Sequence, residues 1–317
     1  MNSSERTTQI KNKALESGFL AVGIARAGKL KGVENQLAEW LDKGYHGEMA
    51  YMENHRLQRV DPTVLVPGAQ SVISLSYNYF TPAQQKPGSP KISTYAYGKD
   101  YHKVLKKKLK TLWNGITEEI APGAQGRYFV DSAPVMERQW AAESGLGWQG
   151  KNTLLIHPRA GSYFFLAEII CDLELEYDEP IPDHCGTCRR CIDACPTDAI
   201  APEGYLLKAN QCLSYLTIET KNDIPIEYSS KMEDWVFGCD ICQQVCPWNK
   251  FSMPHSEPQF TPSQEFLSWS PDQWKDLNEQ QFETNFAHTP VKRAGFDKLK
   301  NSIGHCLPSG EANGEGG

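Results

Sequence analysis

The feature that most constrains this chain is a run of four cysteines in eleven residues, Cys185-Gly-Thr-Cys188-Arg-Arg-Cys191-Ile-Asp-Ala-Cys195, closed by Pro196. The spacing C-x2-C-x2-C-x3-C-P belongs to runs that hold 4Fe–4S clusters, where three sulfurs bind one cluster and the fourth turns away to another. Such a run demands a second, and Cys212, Cys239, Cys242 and Cys246 follow, the last again before a proline. Crossed ligation assigns Cys185, Cys188, Cys191 and Cys246 to one cluster, and Cys195, Cys212, Cys239 and Cys242 to the other. The second run departs from the first, because its C-x3-C-P follows the C-x2-C directly and its remaining ligand comes from upstream at Cys212. Paired C-x2-C elements also suit tetrahedral zinc. Zinc leaves the two C-x3-C-P endings unexplained, so clusters are favoured. Disulfides are disfavoured: the opening MNSSERTTQIKNKAL holds neither an apolar signal core nor a twin-arginine pair. Cys171 and Cys306 fall outside the pattern and read as free thiols.

The 317 residues leave room for one large domain and a small one. No apolar stretch approaches the length of a membrane helix, so a soluble, cytoplasmic protein without a membrane partner is expected. A formal net charge of −7 argues against coating nucleic acid through net charge. A nucleic-acid partner would need a local basic surface.

Taken in order, residues 5–17 read as a helix ended by Gly18, 19–25 as a strand, and 34–43 as a second helix stopped at Gly44. Asp61-Pro62 reads as a turn and Ser71–Phe80, rich in β-branched and aromatic residues, as a strand. Thr81–Pro90 has loop composition and is expected to be mobile. The clearest helix spans 101–120, with Val104, Leu105, Leu109, Leu112 and Ile116 at helical spacing and lysines at 106–108 and 110. Those lysines suit either phosphate or a solvated face balanced by Glu118 and Glu119. Gly126–Val130 reads as a strand, Asp131-Ser-Ala-Pro134 as the start of a helix running to Ser144, and Ser162–Leu175 as another strand. Ser270-Pro-Asp-Gln273 is a capping-box start. Residues 304–317 lack periodicity and are expected to be disordered. Irregular alternation of strands and helices points to an α+β sheet domain rather than a doubly wound one. The expected division is 1–182, a cysteine-rich unit at 183–254, and a helical extension with a tail at 255–317.

Two motifs are declined. Gly145-Leu-Gly147-Trp-Gln-Gly150 matches the dinucleotide fingerprint, but it follows a helix where that fingerprint needs a strand. It reads instead as a helix end and a glycine-rich loop able to approach a ligand closely. Asp100-Tyr-His102 resembles the start of a cobalt-ligating D-x-H-x-x-G signature, but Leu105 stands where glycine is needed, and His102 reads as a surface or capping residue.

Across residues 1–300 the chain resembles the epoxyqueuosine reductases. The resemblance rests on Arg59-Val-Asp-Pro62 with Leu65-Val-Pro-Gly-Ala69, Tyr97-Gly-Lys-Asp-Tyr-His102, Val130-Asp131-Ser, Glu137-Arg138, Gly150-Lys151-Asn152, Gly161-Ser162-Tyr163 and Ala167-Glu168. Cys212-Leu-Ser214-Tyr-Leu-Thr217 and Gly238-Cys239-Asp240 complete it. It implies a cobalamin-binding sheet domain of nitroreductase and reductive-dehalogenase type, followed by a ferredoxin-like module with two 4Fe–4S clusters. The implied activity is reduction of epoxyqueuosine to queuosine at the wobble position of tRNAs with GUN anticodons, by cob(I)alamin fed from the clusters. A monomer is expected, with tRNA and an unidentified low-potential electron donor as partners. Some members add a C-terminal HEAT-like repeat domain that helps hold tRNA; none is expected here.

The resemblance places Asp131 at the active site as proton donor. A donor near neutral pH needs a raised pKa, which burial under the corrin would supply. A helix-capping aspartate would instead have a lowered one. Arg59, Leu155, Leu166, Ser214 and Asp240 are carried over as cobalamin contacts. Ser93 stands about where some members have a cysteine near cobalt, so no thiolate ligand is expected there. Competing readings are a corrinoid reductive dehalogenase and a plain ferredoxin-type carrier. The carrier leaves some 180 residues before the cysteine unit without a purpose.

Overall fold

The computed structural model describes residues 1–307. Its framework is a four-stranded sheet clasped between helices. Helix α1 (Ser3–Glu16) starts at a capping box in which Asn2 and Glu5 exchange hydrogen bonds, and it buries Ile10 and Ala14. Gly18 then turns the chain at φ +90° into β1 (Ala21–Arg26). Helix α2 (Val33–Asp42) follows, then β2 (Ser71–Asn78), a two-residue β3 (Lys91–Ile92) and α3 (Tyr101–Gly115). Strand β4 (Gly126–Phe129), helix α4 (Glu137–Glu143) and strand β5 (Phe164–Cys171) complete the framework. The sheet order is β1-β2-β5-β4 with every pair antiparallel. Hairpin-type pairing without parallel crossovers is what separates this α+β sheet from a doubly wound one.

Strands alternate their side chains between faces, and the two faces here differ in chemistry. Ile73, Leu75, Ala167 and Ile169 pack against Ile10 of α1 and Leu105, Leu109 and Leu112 of α3. Val72, Ile170 and Phe129 face Trp140 of α4. This second face also carries Ser74, Ser76 and Glu168, all buried. The end of α4 lies so close that a Cβ on Gly23 would come within 2.0 Å of the Ser144 carbonyl oxygen.

Several boundaries differ from expectation. The helix after β4 begins at Glu137, not at Pro134: Asp131–Pro134 form bends, and Asp131 adopts φ +55°. The 101–120 helix widens into a π turn over Ile116–Ile120, closed by Ala121 N–H on Ile116 O. Thr81–Pro90 has no regular structure but is pinned: Lys86 N–H donates to Leu267 O, the Ser89 hydroxyl to Trp269 O, and the Gln85 amide to Pro90 O. The glycines at 145–150 meet protein rather than ligand. Gly145 ends α4 at φ +71°, and Gly147 allows Trp148–Gln149 to pair with Leu155–Ile156, its Cβ position lying 2.2 Å from Ile156 O. Lys108 of the lysine cluster ion-pairs with Glu257, and Glu119 is balanced by Lys13 instead.

In the cysteine-rich segment, two short helices, Arg190–Asp193 and Ile241–Gln244, each begin beside a C-x2-C turn and pack on one another. Strand β6 (Trp235–Phe237) pairs in parallel with β3. Around that pair a second core gathers Ile92, Phe237, Trp274, Phe282, Leu299 and Ile303. The Ser270 capping box forms as expected. Gly304–Cys306, expected to be disordered, complete the last helix (Phe296–Cys306) and Leu307 forms a bend; residues 308–317 of the expected tail lie outside the described residues. No helix among the described residues is long and apolar enough to cross a membrane.

Candidate active site and cluster sites

The structure gathers the eight patterned cysteines into two groups. Cys185, Cys188, Cys191 and Cys246 wall a small cavity with Ile156, Arg190 and Trp248. Cys195, Cys212, Cys239 and Cys242 open onto a much larger cavity of about 400 Å³, or about 1510 Å³ of empty space counting its mouth. These are the quartets that crossed ligation requires. No disulfide forms, and Cys171 and Cys306 are free. Among the described residues no three His, Cys, Asp or Glu side chains converge closely enough for one metal ion. Lys151 secures the first quartet, its ammonium donating to Gly186 O at 2.6 Å and Cys188 O at 3.0 Å. Gly238 secures the second at φ +69°, bringing Cys239 and Asp240 against Ser93, whose hydroxyl would lie 2.2 Å from a Cβ there.

Asp131 faces the second quartet across the large cavity. Its Oδ2 accepts from Tyr101 Oη at 2.7 Å and from His102 Nε2 at 3.0 Å. Tyr101 lies flat on Phe165, ring centroids 4.1 Å apart, which aims its hydroxyl at the carboxylate. His102 Nδ1 is held at 2.8 Å by Asp100, the cap of α3. Burial disfavours the imidazolium, but the bonds to Asp100 and Asp131 outweigh it and raise His102 to about 9. For Asp131, burial pulls upward while His102 and Tyr101 hold the carboxyl below its ordinary range. The raised pKa expected at Asp131 is thus absent: two donors converge on it and favour the anion. His102 proves to be a cap residue that also holds the Asp131 loop, with both ring nitrogens engaged by carboxylates.

The raised carboxyls stand behind Asp131. Burial and the Asp131 charge push Glu137 up to about 7. Burial, then Glu137, push Glu168 well above the carboxylate range. Arg138 reaches across the cavity wall to Thr153 O at 2.8 Å, near enough to Cys242 and Cys212 to feel their charge.

Leu155, Leu166, Ser93, Ser214 and Asp240 all line the large cavity. Asp240 is buried, its Oδ2 accepting from Thr94 N–H and Oγ1, each at 2.8 Å, and burial raises its pKa. Arg59 is not in the cavity wall. Its guanidinium is committed to carbonyl oxygens of the preceding loop, donating to Tyr51 O at 2.6 Å and Asn54 O at 3.1 Å. Tyr101, Arg138 and the Glu137–Glu168 pair were not assigned roles from sequence, although both glutamates sit in stretches that carried the resemblance.

Comparison with known proteins decides the family. The model described as Epoxyqueuosine reductase QueG, DUF1730 matches residues 59–132, and that of the 4Fe-4S double cluster binding domain matches 184–249. A curated epoxyqueuosine reductase of Cellulophaga algicola is 50% identical over 96% of this chain and 99% of its own length. The chain belongs to the epoxyqueuosine reductase family. A solved epoxyqueuosine reductase, crystallised with an epoxyqueuosine-modified tRNA-Tyr stem loop, superposes with a TM-score of 0.86 at 29% identity, covering 96% of this chain and 82% of that one. A catabolic reductive dehalogenase shares the fold alone, with a TM-score of 0.50 at 16% identity over 96% of this chain and 38% of its own. The double-cluster domain makes this family member an iron–sulfur protein.

Proposed function

We propose that the protein reduces epoxyqueuosine to queuosine at the wobble position of tRNAs with GUN anticodons, with cobalamin in the large cavity and a 4Fe–4S cluster on each cysteine quartet. One observation carries this reading. In a chain half identical to a curated reductase, the second quartet and the Asp131 carboxylate open onto the same cavity.

The residues present fit the cofactor. Leu155, Leu166 and Phe165 offer apolar wall to the flat faces of a macrocycle, while Asn152, Ser214 and Gln243 offer hydrogen-bonding groups to its amide rim. Reduced cobalamin would supply a strong nucleophile and electron store, the protein supplying position and protons.

Removing an epoxide oxygen as water takes two electrons and two protons. Clusters deliver electrons singly, and positive charge beside a cluster favours its reduction. Arg138 supplies that charge beside Cys212 and Cys242. The resting proton of the acid site resides on His102, which donates to Asp131. Asp131 then relays a proton from His102 to the departing oxygen, which does not require its own resting pKa to be high. Lys106, 3.4 Å from the Ser132 hydroxyl, sets a cation on the same loop.

The test is anaerobic reconstitution with iron, sulfide and cobalamin, then nucleoside mass spectrometry of tRNA carrying epoxyqueuosine. Queuosine is the expected product. Cluster and corrin absorption without queuosine would overturn the reading.

A further inference from the structure

Glu168 is a carboxyl group in a place that does not tolerate a bare charge. It sits in the middle of β5 with no exposed surface, and neither side-chain oxygen accepts from any N–H or O–H among the described residues. Its cross-strand partner is Ser74 on β2, which puts the two Cβ atoms about 5 Å apart on one face. The hydroxyls of Ser74 and Ser76 on that face are likewise buried without a partner. An ionised carboxylate here would be an uncompensated buried charge, so the group keeps a proton. The acidic neighbour that acts on it most strongly is Glu137 at the start of α4, the helix packed on this strand.

Glu137 faces two ways. Its Oε1 accepts the backbone N–H of Asp131, and its side chain forms part of the cavity wall. It therefore links the buried carboxyl to the space where the reaction occurs, and it fixes the left-handed turn that presents Asp131. Asp131, Arg138 and Glu168 are the charged or titratable groups that face it, with His102, Tyr101 and Arg293 acting on it through Asp131. The three carboxyls are not gathered to hold a metal ion.

We propose that Glu137 donates the second of the two protons the reaction consumes, and that Glu168 is the positioning residue that keeps its own proton and stabilises the Glu137 carboxylate left behind. This rests on the proposed reductase activity. In each turnover Asp131 passes one proton and Glu137 the other, two electrons arrive through the clusters, and the epoxide oxygen leaves as water. The proton of Glu168 then donates to the new anion, so that Glu137 and Glu168 are never both charged, and Glu137 is reloaded from solvent in the cavity. A group titrating near neutrality suits this task, as Glu137 does at about 7; the value belongs to the coupled pair.

Two measurements test the proposal, one of them independent of activity. Infrared difference spectra of the folded protein across neutral pH should contain a protonated-carboxyl C=O band that persists above pH 7 in the wild type and disappears in Glu168→Gln. Absence of that band, or its survival in Glu168→Gln, overturns the pair even if the protein never forms queuosine. In single turnovers of pre-reduced, reconstituted enzyme, the wild-type rate should fall as pH rises through about 7. Glu137→Gln should slow turnover by about 100-fold and abolish that limb. Glu168→Leu, which removes the Glu168 proton, should move the limb, and Glu168→Gln, which retains a neutral donor, should restore a rate closer to wild type than Glu168→Leu. A wild-type rate and pH profile in Glu137→Gln would refute its role as donor. Failure of the wild type itself to form queuosine would refute the reductase reading and leave the infrared result to judge the pair.

Discussion

The two cysteine quartets rest on similar short helices yet occupy opposite kinds of surroundings. Around the first, Gly186, Thr187, Arg189 and Arg190 are exposed, and the enclosed cavity has room for only about 20 Å³. The second opens onto a cavity of about 400 Å³ whose far wall holds Asp131, Glu137 and Arg138. One quartet borders exposed surface and the other a large interior cavity. On the proposed function, the contrast would give the module a direction, with electrons received at the Cys185 side and spent at the Asp131 side.

The contrast is broken most severely at its inner end. Cys212→Ala should lower the iron content of the reconstituted protein to about half, since one cluster of two loses a ligand, and should abolish queuosine formation with any reductant. Full turnover with halved iron would disprove the inner position of that quartet. Asp131→Asn comes next. It should slow queuosine formation by about 100-fold or more while both clusters assemble, and undiminished turnover would remove Asp131 from the mechanism.

A smaller effect should appear in stability. His102 titrates at about 9 in the folded protein against an ordinary 6.5. Its raised value means that the stabilisation from its bonds to Asp100 and Asp131 is fully present below about 6.5 and is lost as pH rises through about 9. Denaturant unfolding across that window should show the loss, and His102→Gln should flatten it. Last, Gly23→Ala forces a methyl group against the Ser144 carbonyl and should cost about 1–3 kcal/mol in thermal or denaturant unfolding. It loosens the scaffold of the acid end and should leave iron content unchanged.

How much of this was legible in the sequence depends on the kind of constraint. The grouping of the cysteines into two fours was readable because ligand spacing is local and chemically narrow. The central strands were readable too: Ser71–Asn78 and Phe164–Cys171 are rich in β-branched and aromatic residues. The start of α4 was misjudged because Pro134 favours a first helical turn, whereas the Asp131 N–H is captured by the Glu137 carboxylate six residues further on. The loop 81–90 has the composition of a mobile segment and is held by partners near residues 267–269, which no local pattern reveals. His102 looked like a cap residue because its Asp100 partner is local, while Asp131, 29 residues away, is brought in only by the fold. Glu168 reads as one polar residue in an apolar strand, and its meaning appears only when β5 is set under α4.

The direction of electron flow can be measured directly by comparing Cys246→Ala with Cys212→Ala in queuosine formation driven by reduced methyl viologen, a reductant small enough to approach either site. Cys246→Ala, which damages only the outer quartet, should still convert epoxyqueuosine, and Cys212→Ala should convert none. Conversion by Cys212→Ala with loss in Cys246→Ala would contradict the assignment of the inner quartet to the reaction cavity.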